Sequence, residues 1–313
     1  MVKKGIFCTL LLIPAWILSW MGLQAQPRVD LPDRVPPSHI CVLGGTNLAM
    51  ALTRHESIQG SFTIETPYGT SPKIYYGLVD EVPFYHLPMH GSTSESDLSD
   101  IESNNRSLLR TWSTLYLLGI KEILGGATAG GINPQYSAGD WIIPHDFIDW
   151  NVSRPRSIVK EIIREEEAFI LPRLVPATDP HLDSILTEET IKVAGESRVH
   201  AQGVIAQAAG GRFETVSEIR MMQLMGCDLV TMTVASEITY ARQLGMNYSC
   251  MVGIVNPAEG LGEWTWNNLT ELYPDLHAES IQVLLNAIPK VKTLQGKPRA
   301  ADALRIHPDF EEN

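Results

Sequence analysis

The sequence is poor in several features that mark common classes of protein. Four cysteines occur in 313 residues, with no CxxC pair and no histidine at the spacing of a metal ligand, so neither a zinc site nor a disulfide framework is expected. Basic residues are also scarce, because 24 Lys and Arg face 36 Asp and Glu, which gives a formal charge of −12. An acidic chain repels a phosphate backbone, and we therefore expect no nucleic-acid partner.

Motifs of four widespread enzyme classes are absent as well. The sequence contains no GxSxG, no GxxxxGK followed by Ser or Thr, no HExxH and no GxGxxG. These absences argue against a hydrolase nucleophile turn, a P-loop, a metalloprotease helix and a dinucleotide fingerprint. What remains is an ordinary globular composition, with 44% apolar and 19% charged residues.

Only the N-terminus carries a hydrophobic run that approaches membrane length. Lys3 and Lys4 precede an uncharged stretch over residues 5–26, and small residues near Ala25 suit a cleavage site. We interpret residues 1–25 as a secretory signal and predict a secreted or periplasmic protein. The alternative is an uncleaved membrane anchor, and only in that case do we expect contact with a membrane.

The rest of the chain is predicted to form one domain. Four prolines between residues 26 and 38 indicate an extended lead-in, the folded domain spans residues 39–294, and residues 295–313 are predicted to be a peripheral tail. Three cysteines lie in this mature chain, an odd number that allows one disulfide at most, and we expect buried free thiols.

Strand-like and helix-like runs alternate along the domain. The predicted strands are residues 39–43, 73–87, 123–127, 141–148, 201–206, 228–234 and 248–255. The predicted helices are residues 106–118, 158–167, 215–225, 237–244 and 277–288. This alternation predicts an α/β fold, a single domain with a central mixed β-sheet flanked by helices.

Three turns that follow strands are candidates for ligand binding. They lie at residues 41–48 (CVLGGTNL), 125–133 (GGATAGGIN) and 230–237 (VTMTVASE). Small side chains in such turns let backbone amides face a ligand at the carboxyl edge of a sheet. Each turn alone is also explained as an ordinary connection between elements.

Taken together, these turns resemble the trimeric purine nucleoside phosphorylase and methylthioadenosine phosphorylase family. The resemblance extends from about Cys41 to Ile288 and includes a hairpin motif at residues 65–72 (ETPYGTSP) and a Gly-Asp strand start at residues 138–143 (AGDWII). Its most specific block is residues 211–220 (GRFETVSEIR), followed by residues 228–237 (DLVTMTVASE). The resemblance implies that family's α/β fold and cleavage of a purine N-glycosidic bond.

The same resemblance assigns residues to the nucleoside. Asn256 stands where the family hydrogen-bonds N7 of the leaving purine, and Ala258 replaces a second acid found in relatives that take 6-aminopurines, which favours 6-oxopurine nucleosides. Glu214 matches the carboxylate at the purine N1 edge, although an acid in the first turn of a helix is also favoured by the helix dipole. The resemblance also assigns Phe213 to the base, and Ala129 and Gly130 to the backbone turn at the substrate. Met232 is assigned to the ribose, and His277 to the 5′-hydroxyl.

Phosphate is the expected co-substrate, and no cofactor is implied. Thr46, Thr128, Thr233 and His90 stand at the family's phosphate-contact positions. The chain departs from the family after His90, where Ser92 and Ser94 replace an Arg and a His and several acids follow. A phosphate dianion would therefore lose its bidentate cation.

This departure leaves three functions open. If Arg106, Arg110 or Arg154 of a neighbouring subunit replaces the missing cation, the protein is a pentosyltransferase of the purine nucleoside phosphorylase type, acting in purine salvage. If none does, water could be the nucleophile of a purine nucleoside hydrolase, with His90 or a loop acid as base. The third alternative is a secreted purine-binding protein without turnover.

Two further expectations follow from the resemblance. Family members of this size form trimers in which the segment after Asp149 closes the neighbour's pocket, and we expect a homotrimer. His145, Asp146 and Asp149 lie in a segment whose acids are structural in the family, and we expect no metal site.

Overall fold

A branched mixed sheet of eleven strands runs through the described part of the chain. The structure, a computed structural model, describes residues 29–89, 101–151, 153–163, 170–302 and 304–306, and the side chains at 101–103, 163, 170 and 304–306 lie outside that description. The predicted signal segment and the start of the lead-in also lie outside it. Among the described residues, no helix is both long and apolar enough to cross a bilayer.

The first half of the chain builds the centre and one side of the sheet. Its strands are β1 (Ile40–Gly44), β2 (Ile58–Phe62), β5 (Ile74–Val79), β6 (Val82–Pro88), β7 (Glu122–Gly131), β8 (Trp141–Ile142) and β9 (Asp146–Asp149). Strands β3 (Glu65–Thr66) and β4 (Gly69–Thr70) form a separate small hairpin within the predicted ETPYGTSP motif.

The second half adds four strands to this sheet and two that pair with each other in a separate antiparallel sheet. These are β10 (Ile170–Pro172), β11 (Val199–His200), β12 (Val204–Gln207), β13 (Leu229–Thr231), β14 (Asn247–Pro257) and β15 (Leu304–Ile306), of which β10 and β15 are the separate pair. The main strand order is β11-β8-β14-β7-β1-β6-β5-β2, and β13, β12 and β9 branch from the end of β7. Parallel pairs (β1 with β6 and β7, β7 with β14) coexist with antiparallel pairs such as β7 with β13, which confirms the predicted mixed sheet.

Six helices flank the sheet in the described part of the chain. They are α1 (Ile101–Leu117), α2 (Val159–Ile163), α3 (Pro180–Ala194), α4 (Val216–Leu224), α5 (Val234–Gln243) and α6 (Trp266–Val291). Helices α1 and α5 contribute to the apolar cluster on one face, while α3 and α6 contribute to the cluster on the other. Burial on both faces is what such a sheet requires, because its central strands are apolar on both sides.

Several predicted elements differ from the observed ones. The run 73–87 is two strands joined by a tight turn at Asp80 and Glu81, whose φ values are +47° and +63°. The run 141–148 is likewise two short strands. Helix α3 was not predicted, and α6 begins at Trp266 rather than His277, because Thr265 and Asn268 form a capping box there.

The segment predicted to be a peripheral tail is described only to Ile306, and part of it packs on the body. Ala300 and Ala301 are buried, and the Arg299 side chain is 8% exposed between Glu122 and Asp179. The prediction of a peripheral tail is therefore wrong for residues 299–301, because Arg299 forms a buried ion pair with the rest of the domain. Cys41, Cys227 and Cys250 are buried and free, as predicted.

Candidate active site

Three strands meet at the carboxyl end of β7. Gly130 pairs with Asn256 of the parallel strand β14 and with Val230 of the antiparallel strand β13. A Cβ built on Gly130 would lie 3.3 Å from both Val230 Cγ1 and Ala258 Cα, so a larger residue would push these strands apart. The small-residue turn found in the sequence therefore brings Ala129, Gly130 and Asn256 to one edge.

Asn256 is held in a bulge of β14. The register of β14 against β7 shifts between Ile254 and Asn256, and the Asn256 side chain is buried, with the residue 7% exposed. Its Nδ2 donates a hydrogen bond of 2.7 Å to the carbonyl oxygen of Pro257. A ligand nitrogen that accepted from this amide would replace a bond to the neighbouring backbone, so the donor is already oriented by the chain.

Glu214 lines a cavity of about 230 Å³. The cavity is bounded by the backbone stretch 208–210, by Trp150, Met221 and Met222, and by the charged residues Arg212, Glu214 and Glu218. It therefore offers an apolar floor and a charged rim, as sites for planar polar ligands do.

Burial raises the pKa of the Glu214 carboxyl, and the nearby Glu218 and Glu259 carboxylates raise it further, while Arg212 opposes them. Arg212 itself forms a bidentate pair with Glu218, at 2.9 and 2.8 Å. The guanidinium is thus committed to Glu218, which leaves Glu214 as the acceptor that a ligand can use.

Phe213 belongs to an exposed cluster of three aromatic rings. Its ring centroid lies 5.4 Å from that of Trp264 and 6.1 Å from that of Trp266, and Phe213 and Trp266 are 44% and 66% exposed. Trp264 Nε1 donates to Glu259 Oε1 at 3.2 Å. This hydrogen bond holds in place the Glu259 carboxylate, which raises the pKa of Glu214. The tryptophan pair in the sequence was the available signal for this cluster.

Met232 connects the strand edge to the cavity. It follows β13, and a Cβ built on Gly210, which lines the cavity, would lie 3.5 Å from Met232 Sδ. The cavity lining includes Glu214 but neither Asn256 nor Thr233. Gly210 and Met232 therefore connect the cavity to strand β13, and the predicted residues Glu214 and Asn256 do not line one cavity.

The turn after β1 packs directly on β7. A Cβ on Gly45 would lie 2.1 Å from the carbonyl oxygen of Gly126, and a Cβ on Gly126 would lie 2.2 Å from Asn47 Nδ2. Asn47 in turn donates to Ser280 Oγ of α6 at 3.2 Å. This close backbone approach requires glycine and places Thr46 beside the part of β7 that leads to Thr128.

His277 contacts the same turn. Its Nε2 lies 3.1 Å from the backbone carbonyl oxygen of Thr46, and its ring stacks on Tyr273 at 5.7 Å with an interplanar angle of 21°. The structure therefore brings His277 to the threonine predicted to contact phosphate. A contact with a 5′-hydroxyl stays a prediction.

Thr233 precedes the first residue of α5, next to a buried polar network. Gln207 Oε1 accepts from the Ser236 amide at 2.9 Å, while Gln207 Nε2 donates to Asp149 Oδ1 at 3.0 Å. One turn into the helix, the buried carboxyl of Glu237 accepts a 2.6 Å hydrogen bond from Tyr248 Oη. These bonds fix the direction of α5 and the position of Thr233.

Some predicted features lie beyond what the structure describes. His90, Ser92 and Ser94 fall in residues 90–100, outside the described residues. Among the residues that are described, no group of three or more His, Cys, Asp or Glu side chains could hold a metal ion.

Comparisons with known proteins agree with this fold. A family model described as the phosphorylase superfamily matches residues 39–289. The chain is 32% identical over 234 residues to the 6-oxopurine nucleoside phosphorylase of Pyrococcus furiosus, covering 73% of this chain and 85% of the relative. It is 27% identical to the probable S-methyl-5′-thioinosine phosphorylase of Methanothermobacter thermautotrophicus, covering 83% of this chain and 86% of that one.

A solved structure shows the same architecture. Methylthioadenosine phosphorylase from Schistosoma mansoni in complex with adenine superposes with a TM-score of 0.69 at 20% identity, covering 82% of this chain and 92% of that one. The chain belongs to the phosphorylase superfamily. The family and fold class predicted from the motifs are thereby confirmed.

Proposed function

We propose that this protein is a pentosyltransferase that cleaves purine nucleosides with phosphate and prefers 6-oxopurine bases. The observation that carries the proposal is similarity over most of the chain to phosphorylases named for 6-oxopurine nucleosides and S-methyl-5′-thioinosine. The presence of Asn256 with Ala258, rather than two acids, supports the choice of base.

The proposed reaction forms one bond and breaks one. A phosphate oxygen attacks C1′ of the ribose while the C1′–N9 bond breaks, and the bonding pair leaves with the purine. The Asn256 amide donates to N7, where electron density accumulates, and the ionised Glu214 carboxylate accepts the hydrogen of N1. Neither residue forms a covalent intermediate, so positioning and electrostatics supply most of the catalysis.

The phosphate side rests on three threonines and the backbone between them. Gly45, the neighbour of Thr46, packs on Gly126, two residues before Thr128, and Thr233 lies at the start of α5. Hydroxyl and amide donors at such places suit an anion. We also propose that the active protein is a homotrimer and that residues 1–25 direct it to the periplasm or the exterior.

The test is base release from inosine, guanosine and methylthioadenosine, each with and without phosphate. Phosphate-dependent release of hypoxanthine and guanine, with ribose 1-phosphate as the second product, supports the proposal. Release of free ribose without phosphate supports a hydrolase instead, and binding without release supports a purine-binding protein.

The base preference has its own variant. Asn256→Asp is expected to lower kcat/KM for inosine about 10- to 100-fold, because a charge-assisted or buried hydrogen bond contributes roughly 1.5–3 kcal/mol, and to favour adenosine relative to inosine. Asn267→Asp, on the exposed first turn of α6, is the matched control. It should change neither kcat/KM for inosine nor the preference between adenosine and inosine.

A further inference from the structure

The proposed phosphate site still needs a positive charge. Thr46, Thr128 and Thr233 supply hydroxyl groups only, and the loop that carries Ser92 and Ser94 in place of basic residues contributes none from those positions. The buried Glu237 adds an acid one turn after Thr233. A phosphate dianion at this place would be bound weakly unless a cation lies against it.

The segment after β9 runs along α5 towards the C-terminal end of the helix, so its earlier residues lie nearer the end that carries Thr233. Tyr240 Oη donates to the carbonyl oxygen of Pro155 at 2.5 Å, Gln243 Nε2 donates to that of Arg156 at 3.1 Å, and Gln243 Oε1 accepts from the Ile158 amide at 3.0 Å. The segment therefore runs parallel to the helix, with later residues against its C-terminal turn. Arg154, one residue before Pro155, lies towards the first turn.

Electrostatic coupling agrees with this placement. The Arg154 guanidinium acts to lower the pKa of both Glu237 and Tyr240, which lie one turn apart on the same side of α5. Burial nonetheless raises the pKa of the Glu237 carboxyl, while hydrogen bonds from Tyr248 and Thr233 oppose that effect. A raised pKa favours the neutral acid, which reduces repulsion of an anion at Thr233.

Arg154 differs from three other partly buried arginines in having no committed acceptor, a property that it shares with Arg110 of α1, whose buried Nε has no partner among the described residues. Arg198, Arg242 and Arg299 each donate to a carboxylate or to backbone carbonyl oxygens. Within the part of the chain that the structure describes, Arg154 has no hydrogen-bond or ion-pair partner, although it is partly buried. A guanidinium held close to a buried carboxyl without pairing to it remains available to a ligand.

We propose that Arg154 is the phosphate-binding cation of this site, acting in the same subunit as Thr233. The inference rests on the proposed function, since it assigns the charge that phosphorolysis requires. A guanidinium suits the role because its planar array of donors matches two phosphate oxygens. The positive end of α5 and the Thr233 hydroxyl complete the set of donors.

The experiment compares Arg154→Gln and Arg154→Lys with the wild type. Arg154→Gln is expected to raise KM for phosphate by about 10- to 100-fold, the effect of losing a charge-assisted contact, with KM for inosine at saturating phosphate changed less than about twofold. Arg154→Lys should lie between, because it keeps the charge but not the bidentate geometry. Arg156→Gln, exposed in the same segment, should match the wild type.

Folding is checked by the thermal midpoint of each variant, measured with and without inorganic phosphate. We expect phosphate to raise the midpoint of the wild type and of Arg156→Gln but not that of Arg154→Gln. An unchanged KM for phosphate in a folded Arg154→Gln variant would overturn the inference while leaving phosphorolysis intact.

Failure of the proposed function has a different signature. If the wild type releases base without phosphate, and inorganic phosphate still stabilises it through Arg154, the anion site is upheld and the phosphorylase assignment fails. If phosphate neither stimulates the wild type nor stabilises it, both proposals fail.

Discussion

The imidazole of His277 lies 3.1 Å from the backbone carbonyl of Thr46. The two residues are 231 positions apart, and the contact joins α6 to the turn after β1. A side chain predicted to face the sugar thus also supports the residue predicted to contact phosphate.

This contact predicts the effect of His277→Ala. Loss of one hydrogen bond to the turn is expected to raise KM for phosphate about fivefold, the equivalent of roughly 1 kcal/mol. His277→Gln should raise KM less, because its amide can still donate to the Thr46 carbonyl oxygen. The measurement compares inosine with 5′-deoxyinosine. Equal losses on both substrates fit a role at Thr46, whereas a loss confined to inosine would show that His277 acts on the 5′-hydroxyl instead.

Glu214 predicts an acid limb in the pH profile for inosine. An ordinary glutamate has a pKa of about 4.3. The pKa of Glu214 is raised, so its carboxylate form is lost at a higher pH than that of an ordinary glutamate. At saturating phosphate, kcat/KM for inosine should fall as pH drops through that pKa, since a protonated acid cannot accept the N1 hydrogen.

Neighbouring charges give this prediction a matched pair of variants. Glu259→Gln removes a negative neighbour that raises the pKa of Glu214, and it should move the limb to lower pH. Glu263→Gln, exposed on the same connection, should leave the limb in place. Identical profiles for the wild type and Glu259→Gln would contradict the assignment.

The buried carboxyl of Asp183 should make the stability of the folded protein depend on pH near neutrality. Burial raises the pKa of this carboxyl to about 7, although Ser249 and Thr178 donate hydrogen bonds of 2.6 and 2.7 Å to it. The folded state therefore keeps a proton that the unfolded chain loses near pH 4. The stabilising contribution is complete below about pH 4 and is lost as pH rises through about 7.

Asp183→Asn should remove this pH dependence. We expect the variant to gain stability relative to the wild type as pH rises from 4 to 8, measured as the difference in thermal midpoint. Glu271→Gln, an exposed change in α6, is the control. A constant difference across that range would mean that Asp183 does not titrate there.

Removal of the Arg299 side chain should cause a large loss of folding stability. It donates to both oxygens of Glu122 at 2.8 Å and to Asp179 Oδ2 at 3.0 Å. Arg299→Ala would remove the guanidinium that pairs with both carboxylates and leave them only neutral hydrogen-bond donors, at a cost of about 3–5 kcal/mol in the free energy of unfolding. Urea unfolding should show this loss, whereas the exposed Lys297→Ala should change stability by less than about 0.5 kcal/mol. A loss below about 1 kcal/mol for Arg299→Ala would refute the prediction.

The parts of the fold that sequence patterns predicted are those with clear apolar periodicity and clear ends. The hairpin of β5 and β6 was hidden because its turn uses Asp80 and Glu81 at positive φ, where Asn and Gly are the usual signal. Helix α3 was not predicted, although Asp179 followed by Pro180 is a typical helix start.

The candidate site was predictable in residue type more than in arrangement. The pairing of Gly130 with both Val230 and Asn256 depends on an antiparallel contact between β7 and β13, which local patterns do not encode. The link from Trp264 through Glu259 to Glu214 depends on the path of an irregular connection. Motif resemblance supplied the identities, and long-range pairing supplied the geometry.

The contact between Gly45 and Gly126 restricts how this protein can be redesigned. A methyl group at Gly45 is excluded by the carbonyl oxygen of Gly126, and a methyl group at Gly126 is excluded by the Asn47 side chain. A combinatorial library that varied one of these positions alone would consist mostly of inactive clones. Grafting the turn from a relative is expected to succeed only when the matching stretch of β7 is transferred with it.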